Sequence, residues 1–301
     1  MKFDSDKLVV AMFKTFARLP NWILFLLADF GYFVLFRLMK YRKNVIYTNL
    51  KNSFPEKPEE EINRIAKRYY HHLADMVVEA LMFYRMTDKD IDEHLTVNGM
   101  EICEEFFKQR RGVIVLGMHY NNWEWNAALQ RKSSHQLLMI YNPVRKNKNF
   151  ERLILDMRER FGGMSVPVHL SARKAIEFNN SDRPGVLWLA ADQTPDKNAK
   201  FWTTFLNQET PFFSGPEKIA IKTNSPIVFL HTRKLARGKY ESNVSLIFEN
   251  PAQETPEDIL LAYVDKLEQI ITNEPEYWLW SHRRWKHSRP EEIELVKRKT
   301  F

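Results

Sequence analysis

The 301-residue sequence predicts an α/β fold in which a mixed central sheet is flanked by helices, behind an N-terminal membrane-anchoring helix. Three observations carry this expectation. Short apolar runs alternate with helical stretches from Gly112 to Thr272, the pattern of strands and connecting helices in one sheet. An apolar segment of fifteen residues lies near the start. The composition, 44% hydrophobic and 13% aromatic, belongs to a chain with a core to bury and excludes intrinsic disorder. With no internal repeat and no Gly/Ser linker, residues 1–45 read as the anchor and residues 46–301 as a single domain.

Taken in order, Trp22 to Phe36 (W-I-L-F-L-L-A-D-F-G-Y-F-V-L-F) is interrupted only by Asp29 and Gly31. Lys14 and Arg18 precede it, and Arg37, Lys40, Arg42 and Lys43 follow. It is shorter than the roughly 20 apolar residues of a spanning helix and lacks the cleavage site of a signal peptide. An embedded or interfacial helix fits best, with a buried core helix and a short tilted span as the other readings. Cations after the segment place the body in the cytoplasm. Residues 51–57 form a turn, and a long helix follows. Ile62, Ile65, Tyr69, Leu73, Met76, Val77, Ala80 and Leu81 give that helix one apolar stripe.

Past Asp88–His94, the runs Gly112–Gly117, Leu137–Tyr141, Gly185–Ala190, Pro226–Leu230 and Ser242–Phe248 read as strands. Phe150–Arg160, Ala172–Phe178, Pro216–Thr223 and Pro256–Thr272 read as helices, the last opened by the Thr255-Pro256 pair.

Charge and cysteine content narrow the function. The formal net charge is +7, with eight basic and three acidic residues in 1–50 and seven and three in 281–301. The body between them is therefore slightly acidic. Cationic ends around an apolar segment suit an anionic membrane surface, whereas a nucleic-acid-binding domain would carry its basic patch on the core fold. The lone Cys103 leaves no disulfide framework or Cys-based zinc site and fits a reducing compartment. Flanking glutamates make it a poor nucleophile. No P-loop, G-x-G-x-x-G or G-x-S-x-G pattern is present.

Chemistry concentrates at the carboxyl ends of two predicted strands, where open α/β sheets place ligands. After Gly117 comes M-H-Y-N-N-W-E, with His119, Asn121, Asn122 and Glu124. Asn121 or Asn122 would cap the next helix, and Glu124 in its first turn would reach back to the His119 ring. A carboxylate on one ring nitrogen fixes the tautomer and leaves the other as a base. The same spacing also fits a loop histidine and an ordinary first-turn glutamate.

After Ala190 comes A-D-Q-T-P, with Asp192 and Gln193 in the same crevice or in a simple Asx turn closed by Pro195. Arg173 and Lys174 stand at a helix start, which suits an anionic ligand or two solvated charges. His71 and His72 read as surface or satisfied residues. The run from Glu274 to Lys286 holds three Trp among cations. It suits nucleic-acid stacking, a headgroup zone, or aromatic side chains that close the core.

These residues together resemble the bacterial lipid A biosynthesis acyltransferases, the late lauroyl/myristoyl-type enzymes within the glycerolipid acyltransferase superfamily. The likeness rests on G-M-H-Y-N-N-W-E at 117–124, with its H-x-x-x-x-E. It extends to N-L-K-N-S-F-P-E at 49–56, A-D-Q-T-P at 191–195 and P-E-Y-W-L-W-S-H-R-R-W-K at 275–286. It implies a glycerolipid acyltransferase-like fold on the cytoplasmic face of the inner membrane. It further implies an enzyme that moves a fatty acyl chain from an acyl carrier protein (or coenzyme A) thioester to a hydroxyl of a lipid A precursor.

The resemblance makes His119 the general base and Glu124 its partner, with no covalent acyl-enzyme. It gives Arg173, Asp192, Asn122 and Gln193 to substrate binding, and implies no metal or dissociable cofactor. Acyl carrier protein, a membrane lipid acceptor and the membrane surface are the implied partners, and nucleic acid is not. Gln193 stands where some members have His, and Val144–Asn149 is an insertion-like basic stretch. Both bear on the acceptor, so ornithine, glycine, lysophospholipid or mannoside lipids are alternative substrates, and a non-catalytic lipid-binding protein is the alternative class.

Overall fold

Every short apolar run singled out above is a strand of one sheet. The computed structural model describes residues 5–144 and 147–298, so Arg145 and Lys146 of the basic stretch lie outside the described residues. Helix α1 (Ser5–Phe16) and helix α2 (Asn21–Phe33) precede a π-helical turn, Val34–Leu38. Helices α3 (Lys43–Ser53), α4 (Glu59–Arg85) and α5 (Asp88–His94) lead to strand β1 (Leu95–Asn98) and helix α6 (Met100–Lys108). The rest alternates: β2 (Val113–Gly117), a 3-10 segment (Trp123–Lys132), β3 (Gln136–Tyr141), α7 (Lys148–Glu159), β4 (Met164–Pro167), α8 (Ser171–Asn179) and β5 (Gly185–Ala190). A small hairpin, β6 (Phe201–Phe205) and β7 (Gln208–Phe212), precedes α9 (Pro216–Thr223), β8 (Ile227–Ala236), β9 (Lys239–Phe248) and α10 (Pro256–Asn273).

The main sheet has seven strands in the order β1-β9-β8-β2-β5-β3-β4, parallel except for the β8/β9 pair, and so is mixed. Both faces are covered, as a mostly parallel sheet requires. Ile114, Leu116, Leu187 and Leu189 face one apolar cluster with α3, the first half of α4 and α10. Val113, Val115, Val186 and Trp188 face the other, with α2, α6 and the 3-10 segment. The β1–α6 unit, β4 and the β6/β7 hairpin had no separate signal, because strands of four or five residues barely express an apolar period.

One alternative drops out and one expectation changes. The apolar N-terminal segment is not a buried core helix. Leu24 and Ala28 face α4, but Trp22, Leu26 and Phe30 are about two-thirds exposed at 66%, 58% and 64%. Asn21–Leu38 has a mean hydropathy of 1.5 and one long apolar side facing outward. Asp29, which seemed out of place in that segment, faces the body and accepts from Arg237 Nη2 at 2.6 Å, with His71 Nε2 3.3 Å away.

The stripe on α4 also shifts after Tyr69. Val77 is exposed, while His72, Asp75 and Glu79 are buried. The reason is partnership. Asp75 accepts from Lys234 Nζ at 3.0 Å and from Arg237 Nε at 2.7 Å, and charges enter a core when they are paired. His72 is likewise interior, its Nδ1 3.4 Å from Lys234 Nζ. Arg237 therefore joins α2 to α4 through two carboxylates and stacks over the Phe25 ring at 4.7 Å. The neighbouring Gly238 has φ +70, and a Cβ there would come within 2.9 Å of Phe25.

Arg237→Met should cost on the order of 2 kcal/mol, because it strips a donor from buried Asp75. Asp29→Asn should cost less, since Asp29 is half exposed. Thermal unfolding in detergent micelles checks the ranking, and equal midpoints for the two variants would contradict it.

Candidate active site

Strand register builds the site. Gly117 of β2 is paired in register with Ala190 of β5. The chain continues two residues past each, and this brings His119 and Asp192 together. Asp192 Oδ1 lies 2.7 Å from His119 Nδ1, and its Oδ2 accepts the His119 backbone N–H at 3.0 Å. The Trp278 indole N–H donates to the same Oδ2 at 2.8 Å. Asp192 is 1% exposed. Burial by itself would raise its pKa, but the His119 charge and these hydrogen bonds outweigh burial and hold the carboxyl below its usual range. The ring of His119 remains partly open to solvent and meets Trp123 edge-on at 5.1 Å.

The Glu124 carboxylate turns to a partner other than the His119 ring. It takes a bidentate fork from Arg158 of α7, Nε to Oε2 at 2.9 Å and Nη2 to Oε1 at 2.6 Å, plus the Trp123 indole N–H at 3.1 Å. A guanidinium offers a carboxylate two parallel charged donors, which one imidazole nitrogen cannot match. Burial raises the Glu124 pKa, but Arg158 reverses the effect, with smaller help from Trp123 and the His119 charge, and the net shift is downward. Asp192, rather than Glu124, is the hydrogen-bonded partner of the His119 ring.

Asn122 sits at the N-cap position of the 3-10 segment without capping it, and its Nδ2 donates instead to Glu79 at 2.9 Å. Asn121 adopts the left-handed conformation (φ 51) and donates from Nδ2 to the Thr232 carbonyl at 2.9 Å. Gln193 is half buried at the Asp192 turn. Arg173 is exposed in the first turn of α8, the helix that follows β4. Lys174 is taken up by Glu177 at 2.8 Å. Cys103 is buried, which together with Glu104 and Glu101 pushes its thiol up to about 12.

The C-terminal aromatic run proves to be a strap under the site. Trp278 and Trp280 are buried and Trp285 partly so, which removes them from any base-stacking or headgroup role. The strap is tied to α3 by Asn49 Nδ2, which donates to the Trp280 and His282 carbonyls at 2.9 Å each. On its other side Thr194 Oγ1 donates to the Arg284 carbonyl at 2.7 Å, and the Thr194 N–H donates to His282 Nε2 at 3.1 Å. Part of the C-terminal charge is internal, because Arg284 is fully buried and donates to the Pro211 carbonyl at 2.6 Å. Sequence reasoning missed Trp278, Glu79 and Arg158. Only the crowding of Trp278 with cations hinted at the first, and no local pattern marks the other two.

A mixed α/β sheet with a histidine held by a buried carboxylate at its carboxyl edge is the arrangement of an enzyme site. The comparisons then fix which one: the family described as bacterial lipid A biosynthesis acyltransferase matches residues 4–287, and the chain belongs to it. It is an acyltransferase. The lipid A biosynthesis lauroyltransferase of Escherichia coli (strain K12) is 25% identical over 264 residues, 85% of this chain and 83% of that protein. The lipid A biosynthesis palmitoleoyltransferase of the same organism is 23% identical over 254 residues, 82% of this chain and 80% of that protein. A lipid A biosynthesis acyltransferase of Shigella flexneri gives the same figures, 23% over 254 residues.

His282 offers a test of the strap. Burial first, then the Arg284 charge, holds its ring down at about 4, and only a neutral ring can accept the Thr194 N–H. An unfolded histidine titrates near ~6.5. The unfolded chain therefore binds more protons between these values, and stability falls as pH drops from about 6.5 toward 4. His282→Gln keeps an acceptor and removes the titration. Urea unfolding between pH 4 and 7 should show a shallower slope for the variant, and an unchanged slope would clear His282 of the effect.

Proposed function

We propose that this enzyme transfers a fatty acyl chain from an acyl carrier protein thioester to a hydroxyl of a lipid A precursor, at the cytoplasmic face of the inner membrane. The observation that carries the mechanism is the 2.7 Å contact between His119 Nδ1 and Asp192. The ionised carboxylate keeps the ring proton on Nδ1 and leaves Nε2 unprotonated as the base. An alcohol is far too weak an acid to lose its proton unaided near neutrality, so Nε2 takes that proton as the oxygen attacks the thioester carbonyl. The new C–O bond forms, the C–S bond breaks, and the imidazolium returns the proton to the departing sulfur. Asp192 and, from further away, Glu124 stabilise the transient positive ring. No acyl-enzyme is needed.

The acceptor and donor follow from the surroundings. The relatives named above supply lipid A as the acceptor class. An apolar face runs over Leu8, Met12 and Phe16 of α1 and Trp22, Leu26 and Phe30 of α2, all exposed, with Lys14, Arg18 and Arg37 at its margins. That arrangement suits a helix pair seated in a bilayer interface. Exposed Lys197, Lys200, Arg283 and Lys286 lie along the Asp192 loop and the strap to which Thr194 joins it. With Arg173 they offer positive charge to lipid phosphates and to an acidic carrier.

Beside Glu124 and Arg158 is a small cavity that also touches Trp123 and Trp188. A second cavity, lined by Met100, Cys103, Val115 and Leu129, also touches Trp188. The acyl chain would enter past Trp123, with Trp188 limiting its depth.

Incubation of the purified enzyme with acyl carrier protein thioester and lipid A precursor, followed by mass spectrometry, tests the reading. The expected product is heavier by one acyl group. His119→Ala should abolish it, and Asp192→Asn should lower kcat on the order of 10³-fold or more, the effect of losing the carboxylate that fixes a base's tautomer. Full activity in both would refute the base assignment. Lipid binding without turnover would favour a binding protein, and an acylated aminolipid as sole product would redirect the acceptor.

Trp188→Ala should move the preferred donor to longer chains, seen as a changed ratio of kcat/KM across thioesters of increasing length. An unaltered ratio would remove Trp188 from chain selection.

A further inference from the structure

Glu79 occupies a place where an amphipathic helix should be apolar. It is fully buried on α4. Its Oε1 accepts the Gly238 N–H at 3.0 Å, and its Oε2 accepts the Tyr240 hydroxyl at 2.6 Å and Asn122 Nδ2 at 2.9 Å. Its own carbonyl accepts the Trp125 indole N–H at 3.3 Å. A buried carboxylate is unfavourable unless its lone pairs are filled, and an apolar side chain of similar size would serve stability as well or better. What the carboxylate holds therefore matters. Asn122 and Trp125 flank Trp123 and Glu124, and Asn122 lies three residues after His119.

Other ties hold the His119 side of that loop, among them the Tyr120 hydroxyl, which donates to the Glu274 carbonyl at 2.9 Å. The His119 N–H goes to Asp192, the Asn121 N–H to the Tyr277 carbonyl at 3.0 Å, and Asn121 Nδ2 to Thr232. Asn121 between them is left-handed, a conformation that non-glycine residues keep only where the surroundings hold it. Glu79 supplies the tie on the far side of this turn. Another of its donors, Gly238, is the residue next to Arg237, which grips Asp29 of α2. One side chain thus bears on both the loop that carries the histidine and the turn that carries the N-terminal helix.

We propose that Glu79 is a positioning residue for the reaction, holding Asn122 and through it the left-handed turn that aims His119. The proposal rests on His119 being the base. Glu79 is remote from substrate and acts only through the geometry of the loop.

The chemistry of the three donors gives a specific test. In Glu79→Gln an amide N–H2 must face a donor: with the amide oxygen on Gly238, it meets the Asn122 N–H2. Asn122→Asp on that background turns the clash into a hydrogen bond, and the second amide hydrogen can donate to the Tyr240 oxygen. Steady-state kinetics of E79Q, N122D and E79Q/N122D would be measured with acyl carrier protein thioester and lipid precursor, well below each variant's unfolding midpoint, with H119A as reference.

E79Q should lose roughly 10- to 100-fold in kcat, the scale of a small displacement of catalytic groups. Its KM values should stay within about twofold, because no substrate contact is removed. The double variant should recover most of kcat. Wild-type kcat in E79Q, a loss confined to KM, or a double variant no better than its parents would each overturn the proposal. Activity retained by H119A would instead overturn the base assignment. If E79Q fails to fold, the comparison of N122D with E79Q/N122D carries the same test: the second substitution should raise kcat, and no rise would overturn the proposal.

Discussion

An ionised carboxylate with almost no access to water dictates how this enzyme is assembled. Asp192 cannot remain charged in the core without donors on both oxygens. Those donors come from two other parts of the chain: the ring and backbone of His119 after β2, and the indole of Trp278 in the C-terminal strap. Satisfying one side chain therefore joins two adjacent strand ends and draws the last segment of the protein beneath them. The strap is in turn fastened to α3 through Asn49 and to the Asp192 turn through Thr194. Orientation of the His119 ring and closure of the core are the same structural event.

The N-terminal helices follow similar logic. An apolar helix with one outward face needs something that fixes it to the body, and Arg237 does this by bridging Asp29 to the buried Asp75. Asp75 and Glu79 of α4 are consequently on its inner side, and the helix that supports α2 also holds the loop after His119 through Glu79. The histidine loop and the apolar N-terminal helix thus share one supporting element.

The site was legible in the sequence as a pair of strand ends but not as a pair of residues. His119 and Asp192 were both recognised as polar groups at carboxyl edges, and the register of β2 with β5 brings them together. Glu124 was assigned to His119 because it is near in sequence. The structure prefers Asp192, 73 residues away, and gives Glu124 to Arg158. The aromatic run from 274 to 286 was open to three readings, and burial of Trp278 and Trp280 selects the one in which they close the core.

By itself the sequence determined the alternation of strands and helices, the apolar segment near the start and the family motif, because each is written in residues that are close along the chain. Periodicity, capping and short spacings are local properties. Only the tertiary structure decided which carboxylate holds the histidine, which face of α4 is buried after Tyr69, and where the C-terminal cations and tryptophans go. Those outcomes depend on partners brought in from distant segments. A buried charge or an indole N–H settles where a donor or acceptor can meet it, and no local pattern records where that will be.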